Sequence, residues 1–438
     1  MADAGMATRR VDGSSQVPVV TTRSAGGRRP RAGSVPAGGG TGGHRGARRR
    51  RRLRAVVIGG GIGGFTTALA LEHAGLAVTV VEQAPRLGWV GAAVNLTPNA
   101  VRALDGLGLA AALRRRGVAP RQRLTRHWTT GEVLGRLDLA AAGPPRYGAP
   151  ELFLHRAALL DELRYVVTSP VLLGRRVVGV TDGAGGVVVT CESGERLRAD
   201  VVVGADGIHS VVRRCLVGDD VPTYTGATAY RAFVDLAALA GMPHLDSFVK
   251  WSGPTVRWNL VTFPISVDRL FIFGSAPGAW ADRESWSRRG SVEEVRRSFA
   301  QAHPDARRPF DACTSVLATA LYARDPLDTW VGRRVALLGD ACHPMTPYMA
   351  QGGAMAIEDA VVLSRCLAAD ADVPSALATY QRTRRDRVAT IQQQSNANAF
   401  RPAEPLDVAP VYGFDAWQVP LVDADPAGGA GRISGAQP

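Results

Sequence analysis

The sequence predicts an α/β protein in which a parallel sheet is interrupted by an inserted domain of mixed β-sheet. Three observations predict it. A strand, a glycine-rich turn, a helix and a second strand follow one another over 53–82. Two further buried strands of the same valine-rich kind, ADVVVGA ending at 205 and VALLGD at 335–340, lie far downstream. Between those two, 221–277 alternates apolar and polar residues with frequent turn residues, the pattern of half-buried strands.

Taken in order, residues 1–53 are rich in Gly, Ser, Arg and Pro without hydrophobic period, and read as a disordered tail. Arg9-Arg10 resembles a twin-arginine signal and the arginine content resembles a transit peptide. No apolar run follows the pair, however, and no amphipathic pattern is present. The run LRAVVI then opens the βαβ unit, closed by AVTVVE at 77–82. A long excursion fills 83–150, and alternating β character covers 171–203. After the β-rich block, helix is expected at 291–303, 353–369 and 375–398. The expected organisation is a tail (1–53), a discontinuous cofactor domain (54–220 and 320–400), an inserted β-sheet substrate domain (221–319) and a C-terminal extension (401–438) that frays from 419.

The formal net charge of +13 invites a nucleic-acid reading. Residues 1–54, however, hold 13 arginines against Asp3 and Asp12, a surplus of eleven that leaves about two charges for the rest. A binder working through its folded body needs that charge on the body, so no nucleic-acid partner is expected. No apolar run approaches the ~18 residues of a membrane span. The five cysteines are scattered without CxxC or zinc spacing, which reads as reduced thiols in a cytoplasmic protein with no metal site.

The chemistry lies in three segments. Gly59-x-Gly61-x-x-Gly64 follows a strand and opens a helix. That placement allows a tight turn, close approach of a pyrophosphate and close helix packing, with the anion facing the helix N-terminus. Glu82 ends the next strand and suits an adenosine ribose. The second segment, ADVVVGADGIHSVVRR, breaks at Asp206-Gly207 and continues through Ser210 and Arg213. The third, RRVALLGDACHPMTPYMAQGGAMAIEDA, carries Asp340 at a strand end and a helix start at Gly352-Gly353. A second nucleotide-contacting segment far from the first points to FAD, a longer ligand than NAD.

Together the segments resemble the single-component FAD-dependent aromatic hydroxylases, the group A flavoprotein monooxygenases. The likeness covers about 54–418. LFLHRAALLDEL, ESWS, ARDPLDTW, SNAN and YGFDAW are most similar to the salicylate hydroxylase branch and its 6-hydroxynicotinate 3-monooxygenases. The resemblance implies a Rossmann-like FAD-binding domain of para-hydroxybenzoate hydroxylase type. It implies hydroxylation of a small phenolic or carboxylic aromatic or heteroaromatic by O2 and NADH or NADPH, through a flavin C4a-hydroperoxide, with or without decarboxylation. Gly59, Gly61, Gly64 and Glu82 would hold the ADP half. Arg156 would contact the cofactor, Asp206 and Gly207 would lie near the pyrophosphate, and Asp340 would bind the ribityl chain. Gln351, Gly352 and Gly353 would line the pyrimidine edge, and Pro347 would face flavin and substrate.

Three pocket positions that align with histidines in the 6-hydroxynicotinate enzymes are Asn95, Tyr230 and Tyr348 here. One amide and two phenols replace groups that titrate near neutrality, which shifts the expected substrate toward a phenol meeting Tyr230 or Tyr348. Arg231 or Arg257 could hold a substrate carboxylate bidentately, or either could be a salt bridge. His343 is open between a loop-shaping and a catalytic role. Lys250, the chain's single lysine, is equally consistent with an exposed strand position and is assigned no role. A monooxygenase tailoring a polycyclic natural product is the alternative on this scaffold. A plain nicotinamide dehydrogenase would purify colourless. Either a monomer or a homodimer fits the sequence.

Overall fold

A computed structural model describes residues 52–88, 92–183, 185–278, 288–397 and 407–422. The tail over 1–51 and the end of the chain over 423–438 lie outside the described residues. So does the ESWS phrase.

A five-stranded parallel sheet forms the first layer. Its order is Val335–Leu337, Val201–Gly204, Arg54–Ile58, Ala77–Val81 and Val171–Leu172. Its central strands are buried, as a parallel sheet covered on both faces requires. Helix Ile62–His73 crosses to the second strand and packs on helix Gly352–Ala369. Gly63 makes that approach possible, since a Cβ there would lie 2.9 Å from Leu338 Cδ1 and 3.3 Å from Ala356 Cβ. The long helix Val373–Asn396 covers Gly352–Ala369 in turn.

The second layer is a seven-stranded mixed sheet. Its order is Leu317–Ala323, Thr223–Asp235, Arg269–Pro277, Asn259–Pro264, Phe248–Ser252, Gln122–His127 and Val133–Asp138. The last two strands correct the assignment of 54–220 to the cofactor domain. Gln122–His127 hydrogen-bonds in parallel to Phe248–Ser252, so part of the early excursion completes the inserted sheet. The helix expected at 291–303 is present but shorter, Val292–Ser298, and a second helix, Pro304–Asp311, entered through Pro304, follows it.

Strand parity decides which side chains meet the cofactor domain. On Thr223–Asp235, Tyr230, Ala232 and Val234 pack in a core with Val295, Phe299 and Phe310 of the two short helices. Ala227, Ala229, Arg231 and Phe233 take the opposite, inner face. There Phe248, Phe263 and Phe271 pack against Phe153 of the two-stranded ribbon formed by Ala93–Leu96 and Leu152–His155, and Phe233 packs beside them. Of the stretch expected to fray from 419, the described residues 419–422 are tied down, Val422 N–H donating to Thr383 Oγ1 at 3.0 Å, and 423–438 lie outside the described residues. Tyr412 is buried with Tyr147 and Met349, and Trp417 Nε1 donates to Ala103 O.

Candidate active site

Four of the parallel strands end side by side, and each releases one of the loops that the sequence singled out. Ile58 leads into Gly59–Gly64, Val81 into Glu82, Gly204 into Asp206-Gly207, and Leu337 into Gly339-Asp340. The carboxyl edge of a parallel sheet is where such folds bind ligands. Gly59 has φ +108, and a Cβ there would lie 2.3 Å from Ala205 O. A Cβ on Gly64 would lie 1.9 Å from Gly59 O, so the turn closes only on glycine. Gly61 and Gly353, at the two helix starts, have open space where a Cβ would stand. The fit to a long dinucleotide rests on these features: backbone N–H groups at two helix starts face open volume along one sheet edge.

Glu82 accepts from the backbone N–H of Gly60 at 2.6 Å and of Ala84 at 2.8 Å, which fixes its carboxylate beside the turn. Asp340 remains open to solvent while protein surrounds it, as on the floor of a cleft. Burial pushes its carboxyl up, opposed by His343 and Arg156. Arg156 opens helix Arg156–Val166 and feels the same burial, opposed by Asp340. Arg231, on the inner face of the large sheet, is pushed down to about 10 by burial and by the charge of Arg156. Asp340, Arg156 and Arg231 therefore form an electrostatic line from one sheet to the other.

Two expected cofactor side chains turn into the protein instead. Asp206 accepts from Ser210 Oγ at 2.5 Å and from the N–H groups of Val211 and Val212 at 2.8 and 3.2 Å, so its carboxylate starts the following helix. Gln351 Nε2 donates to Thr97 Oγ1 at 3.0 Å, and its Oε1 accepts from Asn99 at 3.2 Å. What this segment offers a ligand is the backbone of Gly352 and Gly353.

Sequence reasoning missed the buried network behind that helix start. Arg384 pairs with Glu358 at 2.7 Å and with Asp359 at 2.8 Å, and all three are fully buried. Asp359 also meets His343 Nε2 at 2.6 Å. Burial pushes Asp359 up, but His343 and Arg384 outweigh it and hold the carboxyl below its usual range. Glu358 Oε1 accepts from Asn99 at 2.7 Å, which carries the network to Gln351. His343 is thereby tied into the scaffold through Asp359. Arg213 was visible in sequence as a motif residue. Here it donates to Cys342 O at 2.7 Å and joins the second segment to the third.

The substrate wall departs from expectation at Tyr230. Its hydroxyl lies 2.9 Å from Glu294 Oε1, and its ring packs edge-on against Phe299, on the face away from the cofactor domain. The expected catalytic role is corrected: parity along the strand sends 230 outward and 229 and 231 inward. Tyr348 does face the inner wall, clustered with Ala227, Ala229, Leu321 and Phe273, and its hydroxyl is 3.4 Å from Ser275 Oγ. Burial pushes that phenol up, opposed by Ser275 and by the Arg257 charge. Pro347 beside it is exposed. Arg257 is exposed and its Nε donates to Thr225 O at 3.0 Å. Asn95 sits opposite Phe153 in the ribbon, 7% exposed, with neither amide atom hydrogen-bonded. Lys250, for which the sequence leaves an exposed strand position open and assigns no role, is buried and shares the inner face with Val261.

The five cysteines are free thiols, and Cys215 alone of them is exposed. Among the described residues no cluster of three or more His, Cys, Asp or Glu could hold a metal ion, and no helix is long and apolar enough to cross a membrane.

Comparison with known proteins agrees with this geometry. A family model described as an FAD binding domain matches residues 52–395. The 6-hydroxynicotinate 3-monooxygenase of Pseudomonas fluorescens is 36% identical over 370 residues, covering 83% of this chain and 95% of that protein. The 3-hydroxybenzoate 6-hydroxylase of Klebsiella oxytoca is 36% identical over 337 residues, covering 76% and 84%. Among solved structures, a salicylate hydroxylase substrate complex aligns with a TM-score of 0.73 at 26% identity, over 86% of this chain and 99% of that one. HpxO of Klebsiella pneumoniae complexed with FAD and uric acid aligns with a TM-score of 0.70 at 30% identity, over 79% and 87%.

Proposed function

The chain belongs to the FAD-binding domain family and is an FAD-dependent aromatic monooxygenase; we propose that it hydroxylates a small phenolic or carboxylic ring, aromatic or heteroaromatic, with NADH or NADPH as reductant. The observation that carries this reading is the set of loops leaving one edge of the parallel sheet, with the inner face of the large sheet opposite. Bound FAD supplies electron transfer and oxygen activation, chemistry that no side chain offers.

The chain's own residues do the rest. Gly59, Gly61 and Gly64 leave room for the pyrophosphate, and Glu82 accepts from the ribose. Asp340 accepts from the ribityl hydroxyls, with Arg156 beside it balancing charge. Asp206 holds the loop that carries Gly207. The N–H groups at Gly352 and Gly353, at the positive end of an 18-residue helix, favour negative charge on the pyrimidine edge. Pro347 and Tyr348 wall the reacting ring. Tyr348 donates to or accepts from the substrate hydroxyl. Arg231, fixed on the inner face, is the better carboxylate partner; exposed Arg257 tunes Tyr348 through its charge. The packed aromatic row excludes water, which oxygen transfer to a ring demands.

The test is spectroscopic and isotopic. The purified chain should be yellow, should oxidise NADH or NADPH faster when a hydroxylated aromatic acid is present, and should build 18O from 18O2 into the product. Nicotinamide oxidation that no ring accelerates, with all oxygen released as hydrogen peroxide, overturns the hydroxylase reading.

A further inference from the structure

Oxygen transfer to a ring needs the inner face of the large sheet held in a fixed place over the cofactor loops. The chain enters that sheet from helix Val211–Val217 into strand Thr223–Asp235 and leaves it by strand Leu317–Ala323. The two crossings run side by side, because Thr223 pairs with Ala323 and Tyr224 with Tyr322. Asp220 stands on the first crossing and Arg324 on the second. Arg324 Nη1 meets Asp220 Oδ1 at 2.8 Å, and Arg213 Nε donates to Asp220 Oδ2 at 2.9 Å. Both arginines are buried, and the carboxylate between them is part-exposed.

Each arginine also grips a cofactor loop. Arg213 Nη1 donates to Cys342 O at 2.7 Å, two residues past Asp340, and Arg324 Nη2 donates to Ile208 O at 3.0 Å, next to Asp206-Gly207. The carbonyl of Arg324 accepts from Gln392 and Asn396 of the long helix, at 3.0 and 3.2 Å. One carboxylate therefore ties both crossings to the second and third cofactor segments. Without it the two buried guanidiniums repel, and the crossings lose what draws them together. Just beyond, the strand pairing shifts between Tyr224 and Thr228, around Gly226 at φ +75. Such a bulge bends a strand and re-aims the residues that follow. Those residues are Ala227 and Ala229, which pack with Leu321 and Tyr348.

We propose that Asp220 and Arg324 are positioning residues, a clasp that acts through the bend at Gly226 to hold the wall of Ala227, Ala229 and Leu321 against Tyr348. Its effect on oxygen transfer rests on the hydroxylase reading; its hold on the sheet does not.

The test uses the FAD-loaded full chain, unaltered and as Asp220→Asn, Arg324→Met and the double variant. Hydrogen exchange read by mass spectrometry needs no substrate. Exchange over 223–229 and 317–323 should rise about fivefold or more in either single variant, while Phe248–Ser252 and Val133–Asp138 stay unchanged. A merely structural loss speeds all of these segments alike and overturns the clasp. Because the two residues act as one unit, the double variant should exceed the worse single by less than about twofold. Arg324→Lys, which keeps the charge and loses the forked geometry, should raise exchange over the same segments and serves where the larger changes do not fold. Coupling is read with whichever of salicylate, 3-hydroxybenzoate, 4-hydroxybenzoate and 6-hydroxynicotinate most accelerates nicotinamide oxidation. Product per nicotinamide consumed should fall about threefold or more at unchanged FAD content, with the balance released as hydrogen peroxide. Unchanged exchange over 223–229 and 317–323 overturns the proposal, as do effects that multiply in the double variant, or full coupling despite faster exchange. Faster exchange at these segments in a chain whose nicotinamide oxidation no ring accelerates leaves the clasp standing and overturns the hydroxylase reading instead.

Discussion

Replacing Arg384 with methionine tests the buried network directly. The guanidinium is fully buried and bridges two fully buried carboxylates, Glu358 at 2.7 Å and Asp359 at 2.8 Å. Removing one partner of a buried pair costs about 3–5 kcal/mol, because the remaining charge keeps its desolvation penalty. Arg387, 2.9 Å from Glu358, and His343, 2.6 Å from Asp359, remain and place the loss toward the lower end. With an unfolding entropy of roughly 2 cal/mol/K per residue, a chain of this size loses about 3–6 °C in melting temperature. Differential scanning fluorimetry of the FAD-loaded protein measures it. The sign with pH follows from Asp359, whose carboxyl is held below its usual range in the fold. Its contribution is present above the unfolded value near ~4 and is lost as pH falls through the folded one. In Arg384→Met the orphaned carboxylates take up protons more readily, so the deficit should shrink as pH falls. A deficit under 1 °C at neutral pH, or one independent of pH, refutes the reasoning.

Three further outcomes follow. Asp340→Ala should weaken FAD about tenfold or more, since a hydrogen bond to a charged group contributes roughly 1.5–3 kcal/mol. Burial raises the Asp340 carboxyl, so FAD affinity of the unaltered chain should fall as pH drops through that raised value, while the variant's affinity stays flat in fluorescence titration. Gly64→Ala sets a Cβ 1.9 Å from Gly59 O and should cost roughly 3 kcal/mol or more, with loss of bound flavin on purification; a yellow, equally stable variant would show that the turn can open. Tyr348→Phe should lower the ratio of product formed to nicotinamide consumed and leave flavin content alone. Tyr230→Phe, on the outer face, should lose about 1 kcal/mol of stability with coupling unchanged.

The cofactor side of this molecule was legible because its signals are local. A strand, three spaced glycines and an acid at the next strand end need each other within one βαβ unit, and GD and DG at the ends of valine-rich strands repeat that logic. The substrate side was not legible, because membership of the wall depends on strand parity and on which strands pair. Tyr230 and Arg231 are neighbours in sequence and point to opposite faces. Gln122–His127 gives no hint in sequence that it pairs with residues more than a hundred positions away. Arg384 reads as one arginine among many on a polar helix; only the packing of that helix against Gly352–Ala369 shows that it is enclosed.

The turn over 346–351, proposed to face the reacting ring, is held too firmly to serve as a moving lid. Ala350 takes φ +55, a left-handed conformation that costs a non-glycine residue about 1–2 kcal/mol. Such a residue persists where its surroundings over-determine it. Here they do so from three sides. Thr346 donates its hydroxyl to Ser395 O at 2.6 Å and its N–H to Asn396 Oδ1 at 3.0 Å. Met349 is packed with Tyr147 and Tyr412, and Tyr412 is itself fastened because Arg387 binds both Glu358 and Val411 O. Gln351 is tied to Thr97 and, through Asn99, to Glu358. One buried ion cluster thus secures the C-terminal segment on one side and the helix start at Gly352 on the other, with Pro347 and Tyr348 spanning the gap. A ring bound against this turn, as proposed, would meet a fixed wall, and oxygen transfer gains from such fixed orientation.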